Sequence, residues 1–301
     1  MGVAGDQQRG RRQQAGARPS AAQTLPIGVL VLLTVATLLL TGVVVAHASA
    51  RRIPRPPTAS TRPSSTPPAA SAGAAPRASV RGPTAAARVP TPHLVVLGDS
   101  VPAAAACQCA GFGAELARTL TATLTNSAVS GQDSAGLIQQ LNNPAVRAAV
   151  RTASVVTVTI GANDFDETKA TDRACLDLFC YSSTMNVLSG HITTILQKIR
   201  ALLPASGTVV VTGYWNVFLD GQVAASHGPI YIMVSNALTV AVNNALRAAS
   251  SLSAARYTDL YQPFKSAGNQ DDTQFLAADG DHPNAAGHQL IATAIHATLA
   301  H

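Results

Sequence analysis

The chain has 301 residues, 47% of them apolar, 12% charged and 4% aromatic, with a formal net charge of +6. That charge is divided: residues 1–92 carry eleven Arg, no Lys and one acid, Asp6, whereas residues 93–301 carry ten basic and fourteen acidic side chains. A basic tail on an acidic folded part excludes a nucleic-acid partner held on a positive folded face, and residues 93–301 suffice for one domain with its own core.

Residues 1–24 form a basic tail, expected to be cytoplasmic. Residues 25–46, from Leu25 to Ala46, are almost wholly apolar and uncharged. At about 1.5 Å per residue this run crosses a hydrocarbon core of about 30 Å, so a transmembrane anchor is expected. The alternative is a signal h-region cleaved near residue 48 or 50, because Ala46-His47-Ala48 and Ala48-Ser49-Ala50 have the small-x-small form a signal peptidase reads. Either reading puts the folded part outside the cytoplasm. Residues 47–92 are rich in Pro, Ala, Ser, Thr and Arg, with prolines recurring from Pro54 to Pro92. They cannot bury enough apolar surface to order themselves and are expected to form an extended spacer.

From His93 the pattern changes. Leu94-Val95-Val96-Leu97 reads as a buried strand ending at Gly98. Phe112, Leu116, Leu120 and Leu124 predict a helix over 112–124. A short strand is expected at Ser127-Ala128-Val129, and one or two helices over 134–152, broken near Pro144. Val155 to Ile160 reads as a second strong strand, followed by a long polar loop to about Ser182. A helix over 184–203 is stopped by Pro204, and Val209 to Thr212 is another strand. Residues 230–250 read as a helix with Leu238, Val242 and Leu246 on one face. Ala255 to Leu260 is a last strand, and a helix carrying Leu290, Ile291, Ile295 and Leu299 follows Pro283. Continuous apolar strands alternating with helices predict an α/β fold with a central parallel sheet covered on both faces.

Ligands of such sheets bind beyond the carboxyl ends of the strands. Gly98-Asp99-Ser100, Gly131 and Gly161-Ala162-Asn163-Asp164 each follow a predicted strand, and Asp279-Gly280-Asp281-His282 precedes the last helix. A serine hydroxyl becomes a useful nucleophile when a histidine takes its proton and a carboxylate orients that histidine. Ser100, His282 and Asp279 are the candidates. Asp279 can fold back to the imidazole across a tight turn, which favours it over the adjacent Asp281. The oxyanion of a tetrahedral intermediate needs aimed donors. The Ser100 and Gly131 backbone amides and the Asn163 side-chain amide could supply them.

In this order the motifs resemble the SGNH subgroup of the GDSL esterase/lipase family. Its four blocks are a serine in Gly-Asp-Ser, a glycine, an asparagine in Gly-x-Asn-Asp, and Asp-x-x-His-Pro. They match Ser100, Gly131, Asn163 and the pair Asp279/His282, with Pro283 following; the resemblance spans residues 94–301. It implies a flavodoxin-like three-layer α/β/α sandwich and a Ser-His-Asp triad with a three-part oxyanion hole. It also implies that no cofactor and no metal take part. Val101 departs from the leucine of the namesake motif and Ala104 from a frequent glycine, which bears on loop shape more than on chemistry.

Cys107, Cys109, Cys175 and Cys180 allow three pairings: local bridges Cys175–Cys180 and Cys107–Cys109, or two cross-pairings. A Cys-x-Cys with no nearby histidine in sequence is a poor zinc motif. Asp99 and Asp164 are expected to brace their turns, and Asp271-Asp272 to lie in a solvated loop. Tyr214 and Trp215 read equally as acyl-pocket walls or core. His191, His227, His288 and His296 read as surface or helix residues. The expected activity is that of an exported, monomeric serine hydrolase acting on a small-molecule, lipid or glycan ester. The alternatives are a non-catalytic glycan- or protein-binding domain on the same fold and a triad-dependent acyltransferase.

Overall fold

A computed structural model describes residues 91–268 and 270–301. The expected basic tail, apolar run and spacer, up to residue 90, lie outside the described residues. Five strands, β1 (His93–Gly98), β2 (Thr123–Asn126), β3 (Val155–Thr159), β4 (Thr208–Thr212) and β5 (Arg256–Thr258), form one sheet in the order β2-β1-β3-β4-β5. Every pairing is parallel. The central strands β1, β3 and β4 are buried along nearly their whole length. That is why their sequences are unbroken apolar or β-branched runs. The edge strand β2, Thr123-Leu124-Thr125-Asn126, is mostly exposed.

Helices cover both faces. On one, α2 (Gly111–Thr119) packs against α9 (Ala285–Ala300); on the other, α5 (Ser182–Arg200) packs against α3 (Ser134–Gln140) and α7 (Pro229–Leu252). The fold is the three-layer α/β/α sandwich that the resemblance implies, built on the doubly covered parallel sheet expected from the pattern. Pro144 opens a separate helix, α4 (Pro144–Thr152), capped by Asn143, whose side chain accepts from the Ala145 N–H; proline fits there because the first helical N–H has no partner to lose. Two shorter helices, α6 (Gly221–Ser226) and α8 (Tyr261–Lys265), carry too few residues for a periodicity signal.

One boundary differs from the sequence reading. The helix expected over 112–124 ends at Thr119, and Leu124 belongs to β2. Thr121 sits at φ 52°, which turns the chain out of the helix, and the β-branched Thr123 and Thr125 pair with His93 and Val95. The strand expected at 127–129 is irregular, yet Ser127 and Val129 still donate to the Val96 and Gly98 carbonyls. This continuation carries Gly131 to the carboxyl end of β1.

Helix α7 is, among the described residues, the one helix long and apolar enough to cross a membrane, with mean hydropathy 1.2. Here its apolar face serves the core: Leu238, Val242 and Leu246 are fully buried. Its buried polar residues hold the segment after β4. Asn243 accepts from the Tyr214 N–H (2.9 Å) and donates to the Tyr214 carbonyl (2.8 Å), and Thr239 Oγ1 accepts from the Val217 N–H (3.0 Å). Buried backbone groups of an irregular segment are thereby satisfied.

Candidate active site

The strand order reverses at β1, whose neighbours are β2 and β3, so a crevice opens at the carboxyl ends of β1 and β3. Gly98 ends β1 there at φ 132°, and a Cβ on it would lie 1.8 Å from the Thr159 carbonyl oxygen. Only glycine lets the two strands stay this close while the Asp99 N–H donates to that oxygen (3.1 Å). Asp99 then caps the short helix α1 (Ser100–Ala103), accepting from the Val101 N–H at 3.0 Å, and its other oxygen accepts from the Tyr214 hydroxyl. Burial pushes the Asp99 carboxyl, 1% exposed, from 3.8 up to about 7, against the pull of the Tyr214 and Val101 hydrogen bonds. Asp99 braces the turn, as expected, and leaves Ser100 at the first position of α1.

The second part is the turn before α9. Asp279 Oδ1 accepts from the backbone N–H groups of Asp281 (3.0 Å) and His282 (3.1 Å), and Oδ2 lies 2.8 Å from His282 Nδ1. Gly280 makes the turn at φ 73°, against Val223 and the Asp220 carbonyl, where a Cβ would clash. Burial raises the Asp279 carboxyl, but the two backbone N–H groups and the imidazole outweigh it, and it titrates below the ordinary range. An ionised carboxylate only accepts, so Nδ1 carries the imidazole proton and Nε2 presents its lone pair. Asp281 Oδ2 lies farther from Nδ1, at 3.6 Å. Burial raises its carboxyl to about 6, with His282 opposing and Asp279 and Glu167 adding to the rise. The cap of α9 is Asn284, which accepts from the Ala286 and Gly287 N–H groups. Neither Asp281 nor His282 is spent on that cap.

The other two candidate donors, Gly131 and Asn163, lie in the loops after β2 and β3. Among the described residues, neither the Ser100 nor the Gly131 N–H is bonded to another backbone carbonyl. Asn163 is exposed, and its Nδ2 donates to the Gln132 carbonyl at 3.0 Å, next to Gly131. One Nδ2 hydrogen remains.

Ser100, Asn163 and Asp281 line one cavity of about 40 Å³ with Val101, Trp215 and Val217. Asp99 lines the same cavity as Ser100 and Asp281, so the first and last blocks lie close together. No hydrogen bond joins Ser100 Oγ to His282 Nε2, and Nε2 is buried without a partner among the described residues. A nucleophile–base contact that is open without substrate and tightens with it is common. Tyr214 and Trp215 turn out to be both core and wall: each is 1% exposed, Trp215 stacks on Phe264 at 4.4 Å, and both line this cavity.

Some placements lay beyond sequence reasoning. The structure pairs Cys107 with Cys109 and Cys175 with Cys180, so no cross-pairing ties the two loops together. The fold brings His288 beside Cys107 and Cys109, where the sequence offered no nearby histidine. With both sulfurs in a disulfide, that group holds no thiolate to ligate a metal. His288 is 1% exposed, and its Nδ1 accepts from the Phe112 N–H (3.2 Å); burial lowers its pKa to about 4, so it serves packing in the neutral form. Asp271 is solvated as expected, but Asp272 is not. It is 1% exposed, and burial, then the nearby Asp220 carboxylate, push it up to about 7. Lys265, also buried, lies 2.5 Å from Asp220.

A family model for GDSL-like lipases and acylhydrolases matches residues 96–290. The chain belongs to the GDSL-like lipase/acylhydrolase family. Its members are esterases and lipases, and the match runs from β1 through the Asp279–His282 turn into α9. Among solved structures the fold is similar to a lipase from a goat rumen metagenome (19% identity, TM-score 0.57), covering 69% of this chain and 97% of that one. It is also similar to phospholipase A1 from Streptomyces albidoflavus (19% identity, TM-score 0.53), covering 69% and 100% respectively. A third likeness is to a catalytic mutant of an acetylxylan esterase from Geobacillus stearothermophilus (15% identity, TM-score 0.50), covering 69% and 94%. No curated protein matches the chain.

Proposed function

We propose that this chain is an exported serine hydrolase that cleaves small acyl esters, O-acetyl esters among them, through an acyl-enzyme. The observation that carries the reading is the state of His282. Its Nδ1 is held by Asp279 Oδ2, and its Nε2 is buried and unspent. Ser100 Oγ attacks the ester carbonyl while Nε2 takes its proton. The Ser100 and Gly131 N–H groups and Asn163 Nδ2 stabilise the oxyanion, and the imidazolium, steadied by Asp279, returns the proton to the leaving alcohol. Water then attacks the acyl-enzyme with His282 again as base, releasing the carboxylic acid. The cavity of about 40 Å³ at Ser100 favours short acyl groups: it admits about two to three heavy atoms, the size of an acetyl. The apolar run 25–46 and the proline-rich spacer 47–92 support an enzyme tethered to the membrane and held away from it.

The test uses the full chain with a fluorophosphonate probe and p-nitrophenyl esters from acetate to decanoate, alongside Ser100→Ala. Labelling and acetate hydrolysis are expected, and both should fall to background in the variant. A wild-type protein silent to probe and esters alike would sink the hydrolase reading. A preference for decanoate would sink the small-acyl part.

A further inference from the structure

The two loops that carry the Gly131 and Asn163 donors follow β2 and β3, and these strands are not neighbours; β1 and Ser100 lie between them. No ladder joins β2 directly to β3, so beyond their shared neighbour β1 the distance from Gly131 to Asn163 depends on links between the two loops. Among the described residues, three hydrogen bonds join segment 131–134 to segment 161–164. One is Asn163 Nδ2 to the Gln132 carbonyl (3.0 Å). The other two join one pair of residues: the Ser134 N–H donates to Asp164 Oδ2 (3.0 Å) and the Ser134 hydroxyl to Asp164 Oδ1 (2.5 Å). The same hydroxyl lies 2.7 Å from His191 Nδ1 on α5. With its one hydrogen given to the carboxylate, it accepts from that nitrogen.

We infer that Ser134, Asp164 and His191 are positioning residues that set the spacing of the oxyanion donors across Ser100. Ser134 is wholly buried, so it cannot meet substrate. Its two bonds grip both carboxylate oxygens and leave the residue before Asp164, the donor Asn163, no freedom to swing away from Gly131. His191 anchors the pair to the helix layer behind it. A missing crosslink leaves the donors in place chemically but off the oxyanion geometrically, and misplacement of this kind reduces transition-state stabilisation rather than substrate binding. The inference rests on the hydrolase reading above.

A double-mutant cycle on the full chain tests it, with p-nitrophenyl acetate kinetics and inhibition by an alkylboronic acid that forms a tetrahedral adduct. Ser134→Ala should lower kcat by about 10- to 100-fold with KM within about threefold, and boronate affinity should fall with kcat. If Ser134 acts through Asn163, Ser134→Ala should cost no more than about twofold further in an Asn163→Ala background. Should Ser134→Ala fail to fold, His191→Ala takes its place in the cycle, and His191→Gln, which can still donate, should restore kcat. Multiplicative losses in the cycle, or a KM rise without loss of kcat, would overturn the positioning role while leaving the hydrolase reading intact. A wild-type protein inert to ester and boronate would overturn the reading itself and the inference with it.

Discussion

Asp99→Asn should make the protein less sensitive to a rise in pH from acid to neutral. Asp99 is 1% exposed, and burial raises its carboxyl from 3.8 to about 7. Between those values the folded protein holds a proton that the unfolded chain has released, so stability falls as pH rises through this window. A group moved this far removes about 4 kcal/mol in all, more than half of it between pH 5 and pH 8. Asparagine keeps an oxygen for the Val101 N–H and a polar group for Tyr214, and it carries no charge to desolvate. Urea midpoints of the full chain and the variant, measured at both pH values, give the comparison. Wild type should lose about 2–3 kcal/mol more than Asp99→Asn over this interval. Asp281 and Asp272 lose stability in the same direction but are common to both proteins. Parallel losses in the two proteins would refute the claim that Asp99 is held protonated in the fold.

Three further outcomes follow from the geometry. Asp279→Asn should lower kcat on p-nitrophenyl acetate by about 10³–10⁴-fold, because Nδ1 loses its acceptor, whereas Asp281→Asn, 3.6 Å away, should cost under about tenfold; equal losses would make the orienting carboxylate a shared function. Gly98→Ala should abolish folding or lower the melting temperature by more than about 10 °C, since the new methyl would meet the Thr159 carbonyl at 1.8 Å, and a melt within experimental error of wild type would show that β1 and β3 can separate. Lys265→Met should cost about 3–5 kcal/mol by leaving Asp220 buried and unpaired, with most of it recovered in Lys265→Met/Asp220→Asn by urea unfolding.

The parallel sheet was legible because its central strands are buried on both faces and so are written as unbroken apolar or β-branched runs, Leu94 to Leu97, Val155 to Val158 and Val209 to Val211. The edge strand β2 was misread. An exposed edge needs no apolar run, and Leu124 happens to fall at helical spacing from Leu120. The short helices α1 and α6 start at the side-chain caps Asp99 and Asp220, and they and α8 are too short to show a periodicity. Asp272 was misread as solvated because nothing in its local polar sequence announces its burial beside Asp220, which is remote in sequence.

The acids of the site show where the limit falls. Asp279 spends one oxygen on the N–H groups two and three residues ahead, and that local bond builds the turn that delivers its other oxygen to His282. Asp99 likewise spends one oxygen on the N–H two residues ahead and so forms the helix that presents Ser100. Such bonds are encoded by spacing, since a short carboxylate reaches the backbone just beyond it and little else. This is why Asp-x-x-His and Gly-Asp-Ser can be read from sequence at all. Each of these acids also has a second oxygen, and its partner follows no rule of spacing in Asp99, which takes a Tyr214 hydroxyl 115 residues away. In Asp164 both oxygens go to Ser134, 30 residues back, and that serine takes His191, 57 residues on. The local oxygens shape each block of the site; the distant ones hold the blocks in register with one another, and only the folded chain could reveal them.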